Sequence, residues 1–200
     1  TMLNLTFLLK RYTLKKPEAK IKPKKLENKM AAYEAKNHPD VLIESKPALM
    51  PGKKVVAIGS STGGVESLLT VFKDLPSNLP PIIITQHIPY GFSNSFAHRL
   101  NDNSKVTVCE AKDGMTLKKS NAYLSPGNMH LTIEKQRDGT YKTKLLDAVK
   151  ISRHKPSVDV MFRSLNNNVG SSAMAIMMTG MGDDGSIAMK ELHDNGTYTV

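Results

Sequence analysis

Three short stretches carry side chains that could do chemistry together. "GSSTG" at 59–63 sets Ser61 between glycines, "TQH" at 85–87 ends in His87, and "GMGDDG" at 180–185 holds Asp183 and Asp184. A serine hydroxyl is a weak nucleophile until a base takes its proton, and an imidazole serves best when a carboxylate orients it. Residues 59–63 fit Gly-x-Ser-x-Gly, which presents a serine on a sharp strand-to-helix turn. A helix that starts there offers free backbone N–H groups and a partial positive charge to an oxyanion. The chemistry indicated is acyl transfer through Ser61, with His87 as base and Asp184, or its neighbour Asp183, as orienting carboxylate. The chain order Ser, His, Asp differs from the Ser, Asp, His of α/β-hydrolases, so another fold should carry this geometry.

Two other readings compete for "VVAIGSSTGG" (55–64). A dinucleotide loop wants a glycine where Ser61 stands and an acidic end to the next strand, which here ends in Gln86-His87. A Walker-type loop wants Gly-Lys-Ser/Thr, which is absent. A serine in a glycine-rich turn is often turn chemistry alone; partners at two other strand ends argue for more.

Those partners need elements to bring them together. "KVVAIG" (54–59), "PPIIITQH" (80–87), "KVTVCEA" (105–111), "AMAIMMTG" (173–180) and the closing "TYTV" read as strands. Helical spacing marks 64–75 (Val65, Leu68, Leu69, Phe72), 91–102 (Phe92, Phe96, Leu100), the stretch after Pro156 (Val158, Met161, Phe162, Leu165) and 185–196. Asp138-Gly139 between alternating segments predicts an antiparallel insert within 121–147. Strands alternating with helices imply an α/β fold: a doubly wound, mostly parallel, Rossmann-like sheet with helices on both faces and a hairpin insert. In such sheets ligands gather outside the carboxyl ends of the strands, where all three polar stretches fall.

Composition narrows the class. Hydrophobic residues make up 40% and charged residues 23%, ordinary for a globular chain. One cysteine, Cys109, fits a reducing compartment, so a cytoplasmic location is expected. The net charge of +10 invites a nucleic-acid reading. Residues 1–50 hold eleven Lys or Arg against five Asp or Glu, densest in "KKPEAKIKPKK" (15–25), whereas the other 150 hold 17 against 13. Proline-spaced lysines without aromatic interleaving read as a solvated linker. The expected division is a basic tail over 1–52, with a helical patch at 26–36, and a folded domain over 53–200.

Five ordered motifs, "IGSSTGG", "ITQHIP", "LSPGNMHL", "HKPSVDVMFRSL" and "MMTGMGDDG", resemble the catalytic domain of the CheB-type chemotaxis protein-glutamate methylesterases, from about residue 54 to 200. The resemblance implies a serine hydrolase that cleaves glutamyl methyl esters on chemoreceptors and, in many members, deamidates receptor glutamines. It places the catalytic triad at Ser61, His87 and Asp184 and calls for no metal or organic cofactor. Backbone N–H groups of Thr62 and Met181 are the oxyanion donors expected. Methylated chemoreceptors are the expected protein substrate, with a receiver domain or histidine kinase as regulator, no nucleic acid, no membrane insertion, and a monomer. Three positions depart from the pattern. Ser60 stands where alanine is usual, and Asp183 where asparagine is common. "LTFLLKRYTLKK" is read as the end of a receiver domain plus linker, and the domain as C-terminally incomplete at Val200.

Plainer roles are expected elsewhere. His130 reads as structural near the pocket, His98 and His193 as exposed, and Asp159 as a local hydrogen-bond partner at a helix start. Arg153, His154 and Lys155 read as a receptor-facing basic rim, and the methionines of 174–181 as core. The alternative function is a receptor-docking module of the same fold without turnover.

Overall fold

The apolar runs predict strands buried on both faces. In the computed structural model, which describes residues 36–50 and 52–200, those runs form β1 (Val56–Ser60), β2 (Ile82–Gln86), β3 (Thr107–Glu110), β7 (Met174–Met177) and β8 (Tyr198–Thr199), and β4 (Asn121–Leu124) joins them in the sheet. All six run parallel, in the order β3-β4-β2-β1-β7-β8. The helices are α1 (Gly64–Asp74), α2 (Ser93–Asp102), α3 (Val158–Asn168) and α4 (Ser186–Asp194).

Successive residues of β1 divide the core between two faces, as a period of two requires. Ala57 joins Met161, Phe162 and Leu165 of α3 and Leu192 of α4. Ile58 joins Leu68 and Phe72 of α1 and Phe96 and Leu100 of α2. The doubly wound sheet expected from the sequence is the one observed.

One expectation divides in two. The sequence pattern predicts an antiparallel insert within 121–147. Instead β4 enters the parallel sheet between β2 and β3, and only β5 (His130–Lys135) and β6 (Tyr141–Leu146) form the hairpin. Ala122, Tyr123 and Leu124 are all buried, so this strand needs cover on both faces, which the parallel sheet supplies. Tyr123 remains satisfied: its hydroxyl accepts from the Lys118 N–H at 3.0 Å and donates to the Thr116 carbonyl at 2.9 Å.

The hairpin packs Leu131 and Ile133 against α3, which explains why α3 is buried from Val158 to Asn166. Its Arg163 is buried and paired with Glu191 and Asp40. Asp40 belongs to a segment that the sequence groups with the tail, yet residues 36–50 run along α3. The Ala48 N–H donates to the Asn166 carbonyl at 3.0 Å and the Lys46 N–H to Asn167 Oδ1 at 2.8 Å. The helical patch at 26–36, apart from its last residue, and the receiver-like stretch near the N-terminus lie outside the described residues. Among the described residues no helix is long and apolar enough to cross a membrane.

From β1 the chain winds one way to β2 and later returns on the other side through β7. The crevice at their carboxyl ends is the switch point at which an open sheet places a ligand.

Candidate active site

Ser61 follows β1 directly and is nearly buried, at 9% exposure. Two glycines shape its turn. Gly63 caps α1 with φ 78°, a left-handed conformation that side chains resist. Gly59 lets α3 approach: a Cβ there would lie 2.4 Å from Val158 Cγ1. Val158 is stiff and helical, so Gly59→Ala must push the start of α3 away from β1. We expect a loss of about 1–3 kcal/mol in urea unfolding, accompanied by loss of turnover, because the start of α3 also holds Asp184.

The neighbouring hydroxyl is out of play. Ser60 is fully buried, its Oγ 3.2 Å from Thr179 Oγ1, which also accepts from the Ser61 N–H at 3.0 Å. At the end of β2, Gln86 Nε2 donates to the carbonyls of Ser61 at 2.8 Å and His87 at 3.0 Å. This buried amide ties the two loops together.

The third loop delivers Asp184 to the N-terminus of α3. Its Oδ1 accepts from Ser157 Oγ at 2.7 Å and the Asp159 N–H at 3.2 Å, and its Oδ2 from the Val158 N–H at 2.8 Å. Oδ2 also lies 2.7 Å from His87 Nε2, and His87 Nδ1 lies 3.0 Å from Ser61 Oγ. The carboxylate can only accept, so Nε2 carries its proton toward Asp184 and the Nδ1 lone pair faces the hydroxyl. The structure thus brings Ser61, His87 and Asp184 into one hydrogen-bonded line.

Electrostatics support that state. Burial opposes ionisation of Asp184, but hydrogen bonds from His87, Ser157 and the Val158 N–H outweigh it and hold the carboxyl below its ordinary value. The positive end of α3 adds to this. Asp183 points outward, half exposed, and pairs with Lys36, which holds its carboxyl low. Of the two carboxylates the sequence leaves open, Asp184 faces His87. Asp159 lies behind it, accepting from the Ala188 N–H at 3.0 Å and Ser152 Oγ at 3.1 Å. Burial, with Asp184 adding, pushes the Asp159 carboxyl up.

The backbone N–H groups of Thr62 and Met181 donate to nothing among the described residues. About 10 Å³ is enclosed between Ser61, His87, Asp184 and Met181. Exposed Met181 lines this space, and exposed Tyr90 and Phe92 follow His87 in the connection from β2 to α2. A larger cavity of about 720 Å³, lined by Lys53, Pro80, Pro81 and Leu117, precedes the strands and so lies at the opposite end of the sheet.

His130 is fully buried. It donates from Nε2 to the Val149 carbonyl at 2.9 Å and accepts from the Ser157 N–H on Nδ1 at 3.2 Å. It therefore steadies the residue that holds Asp184. Burial, the largest cause, pushes its pKa below the ordinary 6.5. The unfolded chain then takes up the proton first, so stability is full above about 6.5 and declines as pH falls toward the lower folded value. We expect the urea midpoint to drop between neutral pH and about pH 5, with a shallower slope in His130→Gln.

The sequence did not single out Gln86, Ser157 or Thr179 for these roles. Ser157 had a readable signal, a serine N-cap ahead of an apolar run. His154, which the sequence groups with Arg153 and Lys155 in a receptor-facing basic rim, stacks its ring on His87, centroids 3.8 Å apart and planes 3° from parallel. His98 and His193 are exposed, as expected.

Residues 56–200 match the family model described as CheB methylesterase. A protein-glutamate methylesterase/protein-glutamine glutaminase of Geobacter metallireducens is 44% identical over 164 residues, covering 80% of this chain and 46% of that protein. Its counterpart in Yersinia pestis is 41% identical over 168 residues, covering 81% and 48%. The solved CheB methylesterase catalytic domain of Thermotoga maritima superposes with a TM-score of 0.71 at 38% identity, covering 75% of this chain and 79% of that one. The chain spans about half the length of the curated relatives it matches. With a serine, an imidazole and a carboxylate aligned at the switch point of a sheet shared with that domain, this chain belongs to the CheB methylesterase family.

Proposed function

We propose that this domain is a serine hydrolase that removes methyl groups from glutamyl methyl esters on chemoreceptors. The observation that carries the reading is the line from Ser61 Oγ through His87 to Asp184. His87 Nδ1 takes the hydroxyl proton as Ser61 Oγ attacks the ester carbonyl. The oxyanion is held by the N–H groups of Thr62 and Met181, each such donor being worth about 3 kcal/mol in known hydrolases. His87 returns the proton to the departing methoxide, releasing methanol and leaving a glutamyl ester on Ser61. Water, deprotonated by His87, then frees the glutamate and restores the hydroxyl. Through both halves Asp184 stabilises the imidazolium without taking its proton.

The same line serves a glutamine side chain, with His87 protonating the departing ammonia, and the name shared by the relatives supports this second substrate. We place the domain in the cytoplasm as a monomer, regulated by a receiver domain or a histidine kinase. Methanol release from methylated receptor membranes tests the function. Catalytic turnover supports it; binding without turnover points to a docking module instead.

A further inference from the structure

We propose that His154 is a positioning residue for the proton relay, its ring laid flat on His87 to hold the plane in which His87 reaches both Ser61 and Asp184. The inference rests on reading those three residues as the relay. Hydrogen bonds at opposite ends of the His87 ring fix its ends and leave it free to tilt about the line between them. A parallel ring at 3.8 Å blocks that tilt from one side. The block matters most once Ser61 Oγ is bonded to substrate. The hydroxyl then has no proton to share with Nδ1, and His87 keeps a single in-plane bond, to Asp184.

His154 is itself held firmly. Its Nδ1 donates to the Ser152 carbonyl at 2.7 Å, and its backbone exchanges hydrogen bonds with Ile151 at 2.8 and 3.1 Å. The two residues between them, Ser152 and Arg153, adopt φ of 49° and 68°, a left-handed pair formed without glycine. Such strain persists only where neighbours enforce it. Here the Ser152 N–H donates to the Asn37 carbonyl at 3.0 Å and its Oγ to Asp159 at 3.1 Å. Both ring nitrogens of His87 are already engaged, with Ser61 Oγ and with Asp184. The pair is therefore built for stacking, not for clasping one ion.

Burial foremost, then the charge on His87, lowers the His154 pKa, while Asp184 and Asp183 oppose this. Asp183 is itself paired with Lys36, and Lys155 with Asp147. A neutral His154 places no second cation against the imidazolium that His87 becomes.

The test compares wild type, His154→Ala and His154→Phe by kcat, KM and Tm for methanol release, and follows the His87 Nε2–H resonance by NMR. Alanine should lower kcat by about 10- to 100-fold with Tm and KM little changed, the scale expected of a misplaced catalytic group. It should also broaden that resonance. Phenylalanine keeps the flat face, so it should retain kcat within roughly 3-fold, keep the resonance sharp, and lose one ionisation from the acid limb of the pH profile. Wild-type kcat in the alanine variant, equal losses in both variants, or a kcat that falls only in step with Tm would each overturn the proposal. Ser61→Ala run alongside separates the two readings: if it turns over like wild type, the relay itself is wrong, whatever His154 does.

Discussion

Replacing Ser61 by alanine is expected to cut methanol release from methylated receptors by at least about 10⁴-fold while the domain melts at an unchanged temperature. Among the described residues the side chain makes one hydrogen bond, to His87 Nδ1, so its removal costs folding no more than about 1 kcal/mol. No neighbour can replace it. Ser60 Oγ is sealed beneath the turn against Thr179, and among the described residues the hydroxyl that reaches His87 Nδ1 is that of Ser61. Receptor binding should survive, because the substitution removes one small, nearly buried hydroxyl and leaves the surrounding surface unchanged. A variant with wild-type methanol release would mean that the attacking atom is not on Ser61.

Asp184→Asn should be nearly as damaging to turnover, about 10⁴-fold, and should destabilise the fold as well. The carboxylate accepts four hydrogen bonds, two on each oxygen. An amide nitrogen cannot accept. If it takes the Oδ1 position, the Asp159 N–H faces a donor. If it takes Oδ2, the Val158 N–H does, and His87 must turn its lone pair away from Ser61 to avoid a clash. One stranded buried donor costs about 1–3 kcal/mol. The wild-type carboxyl is held below its ordinary 3.8, so its contribution is full above that value and fades as pH falls through the lower folded one. The variant should lack this part of the acid dependence. Asp183→Asn is the control: it loses an exposed pair with Lys36 and should leave kcat within a few-fold. Equal losses at 183 and 184 would count against the assignment of the carboxylate.

What could be read in the chain and what could not have physical causes. Strands flanked by amphipathic helices fix a parallel sheet, and three polar stretches at strand ends fall together because that sheet has one carboxyl edge. The Asp183–Asp184 ambiguity could not be settled from residue types. It is resolved by the start of α3, whose N–H groups reach only one of them. β4 was misplaced because four residues, Asn121–Leu124, give periodicity too little to work on; burial on both faces decides it. His154 sits in a charged tripeptide, and only its tight left-handed turn, enforced from Asn37 and Asp159, carries the ring inward.

The central claim is that His87 activates the oxygen of Ser61 and of no other residue. A fluorophosphonate, whose phosphorus bonds to an activated serine oxygen as fluoride leaves, followed by peptide mass mapping, tests it most directly. The account predicts a single adduct on Ser61 in the wild-type chain and almost none in His87→Gln. An adduct on Ser60 or Thr62, or undiminished labelling of Ser61 without His87, would contradict it.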